Sequence, residues 1–287
     1  MNNKKISPII IIGMHRSGTS MLSDLLKKLG LFTGNKLGSH AEADFFLKLN
    51  DWLLNQTGSS WDNPYNLEKI YSKENEDEFN SFVQFLKSVV SSPLYFKYKG
   101  LNSNEVWGFK DPVSSLTLPF WMSVYPNAKV IYIKRHGLDV SQSLYIRNKV
   151  KFEKAKNRFK NKSLYPYYLM YKQFYSKDKR NRGFIDSINC KDIMYGLKLW
   201  DYYNAKCLEY IEAISKENKI SVVYEDLLTY PEKELGKLVK FIGLKHDSNK
   251  ITKISKNINS KKAFTYKKKF SESEIPKFEE FLKKHNY

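Results

Sequence analysis

At 287 residues, with 41% hydrophobic side chains and five Trp, the chain is long enough for one full α/β core. No run of about 18 apolar residues occurs, which excludes a membrane-spanning helix, and Cys190 and Cys207 give neither a disulfide framework nor, with His, a metal-ligand spacing. The net charge of +19 suits anionic substrates, nucleic acid or anionic lipid, although part of it is simply the composition of a Lys- and Asn-rich chain.

The first element is read at Ile9–Ile12, four isoleucines that suit a strand buried on both faces of a parallel sheet. Gly13 lets the chain turn at its carboxyl end, and the run Met14-His15-Arg16-Ser17-Gly18-Thr19-Ser20 leads into a helix with Met21, Leu22, Leu25, Leu26 and Leu29 on one face and Gly30 as its stop. A helix N-terminus offers unpaired N–H groups and a positive dipole end. Here Arg16 adds a cation and Ser17, Thr19 and Ser20 add hydroxyls, so the loop is read as a site for one 5′-phosphate. It departs from the nucleotide-hydrolase form because Thr19 stands where that form has its Lys, which argues against a triphosphate with magnesium.

A Gly-containing loop and the segment His40 to Leu54 come next, the latter with His40, Glu42 and Asp44 before an apolar run. Val106 to Lys110 reads as a short strand ending in a Lys, with Asp111 as a structural pair or cap. Ala128 to Lys134 reads as a further strand, with Arg135 at its end and a helix after it that holds Asp139 in its first turn and Ser143 deeper in. An Arg fork and a hydroxyl at that edge suit a phosphate monoester. Residues 147–182 gather basic side chains interleaved with Tyr165, Tyr167, Tyr168, Tyr171 and Tyr175, and are read as an insertion over about 147–190. A helix to about residue 217 follows, with Leu197, Trp200, Asn204, Cys207, Leu208, Ile211 and Ile214 as its buried stripe. Ile220 to Val223 reads as a strand before Tyr224-Glu225-Asp226, then a helix opened by Pro231 and closed by Gly243. Lys261, Lys262, Lys267, Lys268 and Lys269 surround a late aromatic segment, and Ser271 to Glu274 has capping-box spacing before a last helix.

Arg16-Ser17-Gly18-Thr19-Ser20 resembles the 5′-phosphosulfate loop of sulfotransferases that use 3′-phosphoadenosine 5′-phosphosulfate, and the later segments fall in that family's order across residues 9–243. The resemblance implies a P-loop-like sulfotransferase fold, a doubly wound, mostly parallel sheet flanked by helices in a single domain over 1–287. It implies that Arg135 and Ser143 hold the 3′-phosphate, Tyr224 meets the adenine, Lys261 or Lys262 covers the 3′-phosphate, and Lys110 stands with Arg16 beside the transferring sulfuryl group. The segment Glu42 to Asp51 resembles the Glu-containing stretch of bacterial members, which makes Glu42 the base, with His40 as its rival and Asp44 as a third choice. Members that place a His two residues after the strand-end Lys are a different case, since Pro112 stands there.

The expectation is therefore a cytoplasmic, metal-free enzyme that moves a sulfuryl group to an acceptor hydroxyl on a glycan or glycolipid and releases 3′,5′-bisphosphoadenosine. Peripheral contact with an anionic inner membrane and the oligomeric state stay open. A P-loop kinase and a basic nucleic-acid-binding module stand as alternatives, the second without any nucleic-acid motif in its favour.

Overall fold

The computed structural model describes residues 7–34, 44–93, 95, 106–175, 185–245 and 247–287. In chain order these form β1 (Ile9–Ile12), α1 (Thr19–Leu29), α2 (Asp44–Gln56), α3 (Glu76–Val89), β2 (Gly108–Lys110), α4 (Ser114–Val124), β3 (Lys129–Lys134), α5 (Gly137–Asn161), α6 (Tyr165–Tyr175), α7 (Ile193–Glu212), β4 (Lys219–Val223), α8 (Tyr224–Thr229), α9 (Pro231–Ile242), α10 (Ser248–Ser255) and α11 (Glu279–Lys283), with short 3₁₀ turns between.

The strands pair in the order β2-β1-β3-β4, all parallel, with Ile10 opposite Phe109 and Val130, and Ile133 opposite Val222. Every residue of β1 is buried. Because side chains alternate along a strand, Ile10 and Ile12 enter one core with Phe46, Phe109, Trp121 and Trp200, while Ile9 and Ile11 enter a second with Leu22, Leu26, Leu235 and Leu238. The sheet is thus covered on both faces, as a parallel sheet needs. The helix after β1 packs in the second core, whereas the helix after β3 packs through Leu138 and Leu144 in the first. Neighbouring strands β1 and β3 therefore send their chains to opposite faces, and a crevice opens between their carboxyl ends.

Local chemistry sets the element ends. Gly30 closes α1 with φ 116°, its N–H donating to Lys27 O (3.1 Å) and that of Leu31 to Leu26 O (2.9 Å). Gly243 ends α9 in the same way, with Leu244 N donating to Val239 O (3.1 Å). The expected helix to about residue 217 instead stops at Glu212, where Lys219 Nζ reaches back to the carbonyls of Ile211 (2.8 Å) and Glu212 (3.3 Å). Leu208, expected in its buried stripe, is 40% exposed, because Cys207 and Ile211 fill the inward positions and Leu208 lies one step round. The first part of the basic stretch, from residue 147, is the second half of the 25-residue α5, which runs unbroken from Gly137 to Asn161. The chain returns to that helix where Asn148 Nδ2 donates to Ser187 O (2.6 Å) and Asp186 N donates to Asn148 Oδ1 (3.1 Å).

Candidate active site

The β1–α1 loop is built by close approach. Gly13 (φ 146°) donates its N–H to Ser115 Oγ (2.8 Å), and a Cβ there would stand 2.3 Å from Ile133 O. Ser17 turns the loop by donating both its N–H (3.1 Å) and its hydroxyl (2.6 Å) to Met14 O. Arg16 is held at φ 72°, a strained conformation for a side chain of its size and a common mark of a ligand-binding turn. Gly18 (φ 99°) caps α1 without any side-chain bond, and a Cβ there would strike the Tyr224 ring at 2.3 Å. The first N–H groups of α1 are left for an anion.

Cations converge on this loop. Arg16 Nε donates to Ser143 Oγ (2.8 Å), joining two residues 127 positions apart. Arg135 donates to Arg16 O (3.2 Å), pairs with Asp139 (3.3 Å) and lies over the Tyr224 ring (4.6 Å). Arg147 lies over Trp61 (4.8 Å) and pairs with Asp186 (2.6 Å). Burial, then the charges of Arg147 and Arg135, lower the pKa of Arg16. Three guanidiniums gathered in this way call for a polyanion. Lys110, at the end of β2 and 1% exposed, brings Nζ to within 3.2 Å of Ser20 Oγ at the start of α1.

Arg16, Ser17, Gly18, Thr19, Ser20, Lys110, Arg135, Ser143 and Tyr224 are thus brought to one crevice. The partnership within it differs from the expected one. Ser143 bonds Arg16, whereas Arg135 is braced by Asp139. Tyr224, 5% exposed and packed between Gly18 and Arg135, has little ring surface left for an adenine. Asp111 acts as the cap expected of it, accepting from Val113 N (3.1 Å) and Asn50 Nδ2 (2.7 Å). Lys261 and Lys262 lie exposed on a 3₁₀ turn whose backbone is held by Asn259. His40 and Glu42 lie outside the described residues. Among the described residues no group of three or more His, Cys, Asp or Glu could hold a metal ion.

Several contacts that shape the site were not legible in the sequence. Asn50 is fully buried behind Lys110: its amide donates to Asp111 and to Ser114 (2.9 Å), and its carbonyl accepts from Thr117 (2.7 Å) and Trp121 (2.8 Å). Its signals in the sequence are its place in the Glu42 to Asp51 stretch and a lone amide on the apolar stripe Phe46, Asn50, Leu53, Leu54. His15 of the loop packs on Trp61 (4.7 Å) and Tyr203 (6.3 Å). At the head of α5, His136 accepts from Leu138 N through Nδ1 (3.3 Å) and stacks on Tyr266 (3.9 Å); burial drives its pKa down to about 4. Asp139 accepts from Thr265 N (3.2 Å), Thr265 Oγ1 (2.7 Å) and Tyr266 N (2.6 Å), so the carboxyl-terminal segment is tied to the helix that carries Ser143.

A sequence profile of the sulfotransferase family matches residues 8–248. Among solved structures, the sulfotransferase domain of the Synechococcus olefin synthase is similar over 98% of this chain and 94% of its own, at 14% identity and a TM-score of 0.53. A mouse sulfotransferase complexed with PAP is similar over 96% of this chain and 82% of its own, at 13% identity and a TM-score of 0.49. No curated protein matches the chain at a significant level.

Proposed function

This chain belongs to the sulfotransferase family, and we propose that it transfers the sulfuryl group of 3′-phosphoadenosine 5′-phosphosulfate to an acceptor hydroxyl on a glycan or glycolipid. The observation that carries the reading is the bond from Arg16 to Ser143, which brings the loop of the first strand and the helix of the third into one cationic cleft. A single phosphate would need only the loop. Two phosphates on one nucleoside give Arg16, Arg135 and Ser143 a common use, and the crowding of Arg16 by Arg135 and Arg147 is relieved by an anion of high charge. The left-handed turn at Gly18, where a Cβ would collide with Tyr224, keeps the loop backbone bare for such a group.

The donor supplies an activated sulfur, whose bond to the 5′-phosphate oxygen breaks as the acceptor oxygen bonds to it. Thr19, Ser20 and the open N–H groups of α1 hold the 5′-phosphate. Lys110, buried and within 3.2 Å of Ser20 Oγ, meets the charge that develops on the bridging oxygen, and Arg16 shares that task. Tyr224 acts through Arg135, whose plane it supports, and Asp139 fixes the same guanidinium from the other side. Lys261 or Lys262 closes over the 3′-phosphate. Glu42 accepts the acceptor's proton, with His40 as the rival base. The support for a sugar acceptor is the resemblance of the Glu42 to Asp51 segment to bacterial members of the family.

Calorimetry tests the cofactor reading. 3′,5′-Bisphosphoadenosine should bind at least about tenfold more tightly than AMP, a difference of about 1.4 kcal/mol, and Ser143→Ala should narrow the gap. Equal affinity for both nucleotides overturns the assignment of Arg135 and Ser143. Labelled donor offered with glycan, glycolipid, phenol and amine acceptors tests the second half, and label found only on phenols or amines overturns the glycan reading.

A further inference from the structure

We propose that the exposed face of α6, with the end of α5 that leads into it, is a docking surface for an anionic lipid membrane. The observation is that α6 wears its apolar residues outward. Tyr167, Tyr168, Met170, Tyr171, Phe174 and Tyr175 are between 50% and 73% exposed. At 100° per residue they fall within an arc of about 160°, and Tyr165, which is buried, and half-buried Leu169 occupy the opposite side. A helix that only covered a core would carry the reverse pattern. Leu164, 73% exposed, and Phe159, 51% exposed, extend the apolar surface across the turn into α5.

The charge that leads into this face along the chain selects its occupant. The last turns of α5 and the turn after it carry Lys154, Lys156, Arg158, Lys160 and Lys162, all exposed, with no acidic residue among them from Lys154 to Lys162. Amphipathic aromatic rings flanked by Lys and Arg match the two layers of a lipid interface. The rings sit at the headgroup–acyl boundary and the cations meet the anionic headgroups. A second copy of this chain would bring the same five cations against each other. No helix among the described residues is long and apolar enough to cross a membrane. α5 links this surface to the cleft: Ser143 lies in its second turn and Asn161 at its other end, about 27 Å away at 1.5 Å per residue. The proposal stands apart from the chemistry of the cleft.

The test is co-sedimentation of the full chain with vesicles of phosphatidylcholine alone or with roughly one-third phosphatidylglycerol. Binding to the anionic vesicles at about 0.1 M salt, with little to the neutral ones and loss at high salt, is expected. The double change Lys156→Glu, Lys160→Glu, two cations on one side of α5, should weaken it by about 25-fold, taking roughly fivefold for each cation lost from the surface. Tyr167→Ser, Tyr171→Ser, Phe174→Ser together should weaken it at least about tenfold with an unchanged melting temperature, since these side chains leave no core. A fluorophore on Tyr171→Cys should brighten on anionic vesicles, and one on Lys240→Cys in α9 should not; the two native thiols are buried, with pKa values raised by burial, and do not compete for label. Equal binding to both vesicle types, or an aromatic variant that binds as the parent does, overturns the proposal. So does a DNA or RNA oligonucleotide that binds with these same dependences while vesicles do not, or a dimer in light scattering that the aromatic variant abolishes.

Discussion

Acidification should loosen the head of α5 through a single ring. His136 is 4% exposed, its Nδ1 accepts from Leu138 N, and its ring stacks on that of Tyr266 with centroids 3.9 Å apart. Only the neutral ring can accept at Nδ1. Burial is the largest influence on it; Lys267 and Arg135 push in the same direction and Asp139 opposes them, leaving a pKa of about 4 against an ordinary 6.5. The unfolded chain therefore binds more protons than the native one between these values. The stability that His136 contributes is complete above about pH 6.5, falls as the pH drops, and is gone below about pH 4. From about pH 7.5 to about pH 4.5 the loss due to this ring is about 2–3 kcal/mol. Buried Glu225, which accepts from His136 N and Tyr287 OH, has a raised pKa and acts in the opposite sense, so the parent's total slope does not isolate the ring. Comparison with His136→Asn does, since Asn keeps a cap but does not titrate. Urea unfolding of both proteins across that range should give curves of stability against pH that converge by about 2–3 kcal/mol at the acid end. Parallel curves would refute the reasoning.

Three further outcomes follow from the site. Asn50→Ala should cost about 3–5 kcal/mol of unfolding free energy in urea, because it strips a partner from buried Asp111 and from the Trp121 indole, and Asn50→Asp should cost more by setting a second carboxylate beside Asp111. Gly18→Ala meets both a φ of 99° and the Tyr224 ring; calorimetry should show bisphosphoadenosine affinity reduced at least about fivefold, from strain of about 1–3 kcal/mol, and an unchanged affinity would mean that the loop is not the phosphate site. Glu42→Gln should cut turnover roughly 10²–10⁴-fold and remove the acidic limb of kcat/KM, whereas Lys110→Ala should slow transfer and leave that limb in place; normal turnover in Glu42→Gln with loss in His40→Ala would transfer the role of base to His40.

Local physics made much of this protein legible from its sequence. The isoleucine strand, the bare loop at Gly13 and Gly18, the amphipathic stripe of α1 and the stops at Gly30 and Gly243 depend on neighbours within a few residues. So does the placement of Lys110 and Arg135 at strand ends, and a parallel sheet gathers strand ends at one edge whatever its order. What lies across that edge depends on which strands are neighbours. β1 beside β3 puts Arg16 against Ser143 and lets Arg135 reach the Arg16 carbonyl, a pairing that no spacing along the chain encodes. The position of β4 beside β3 likewise sets the Tyr224 ring against Gly18 and under Arg135, contacts that its place in Tyr224-Glu225-Asp226 does not encode. Asn50, the tie from Asp139 to Thr265 and Tyr266, and the neutral state of His136 arise from burial between elements distant in sequence, because a polar group removed from water must take whatever partner the packing brings to it. The outward face of α6 belongs with these. Its exposure is decided by the fold, which leaves Tyr171 61% and Phe174 72% exposed.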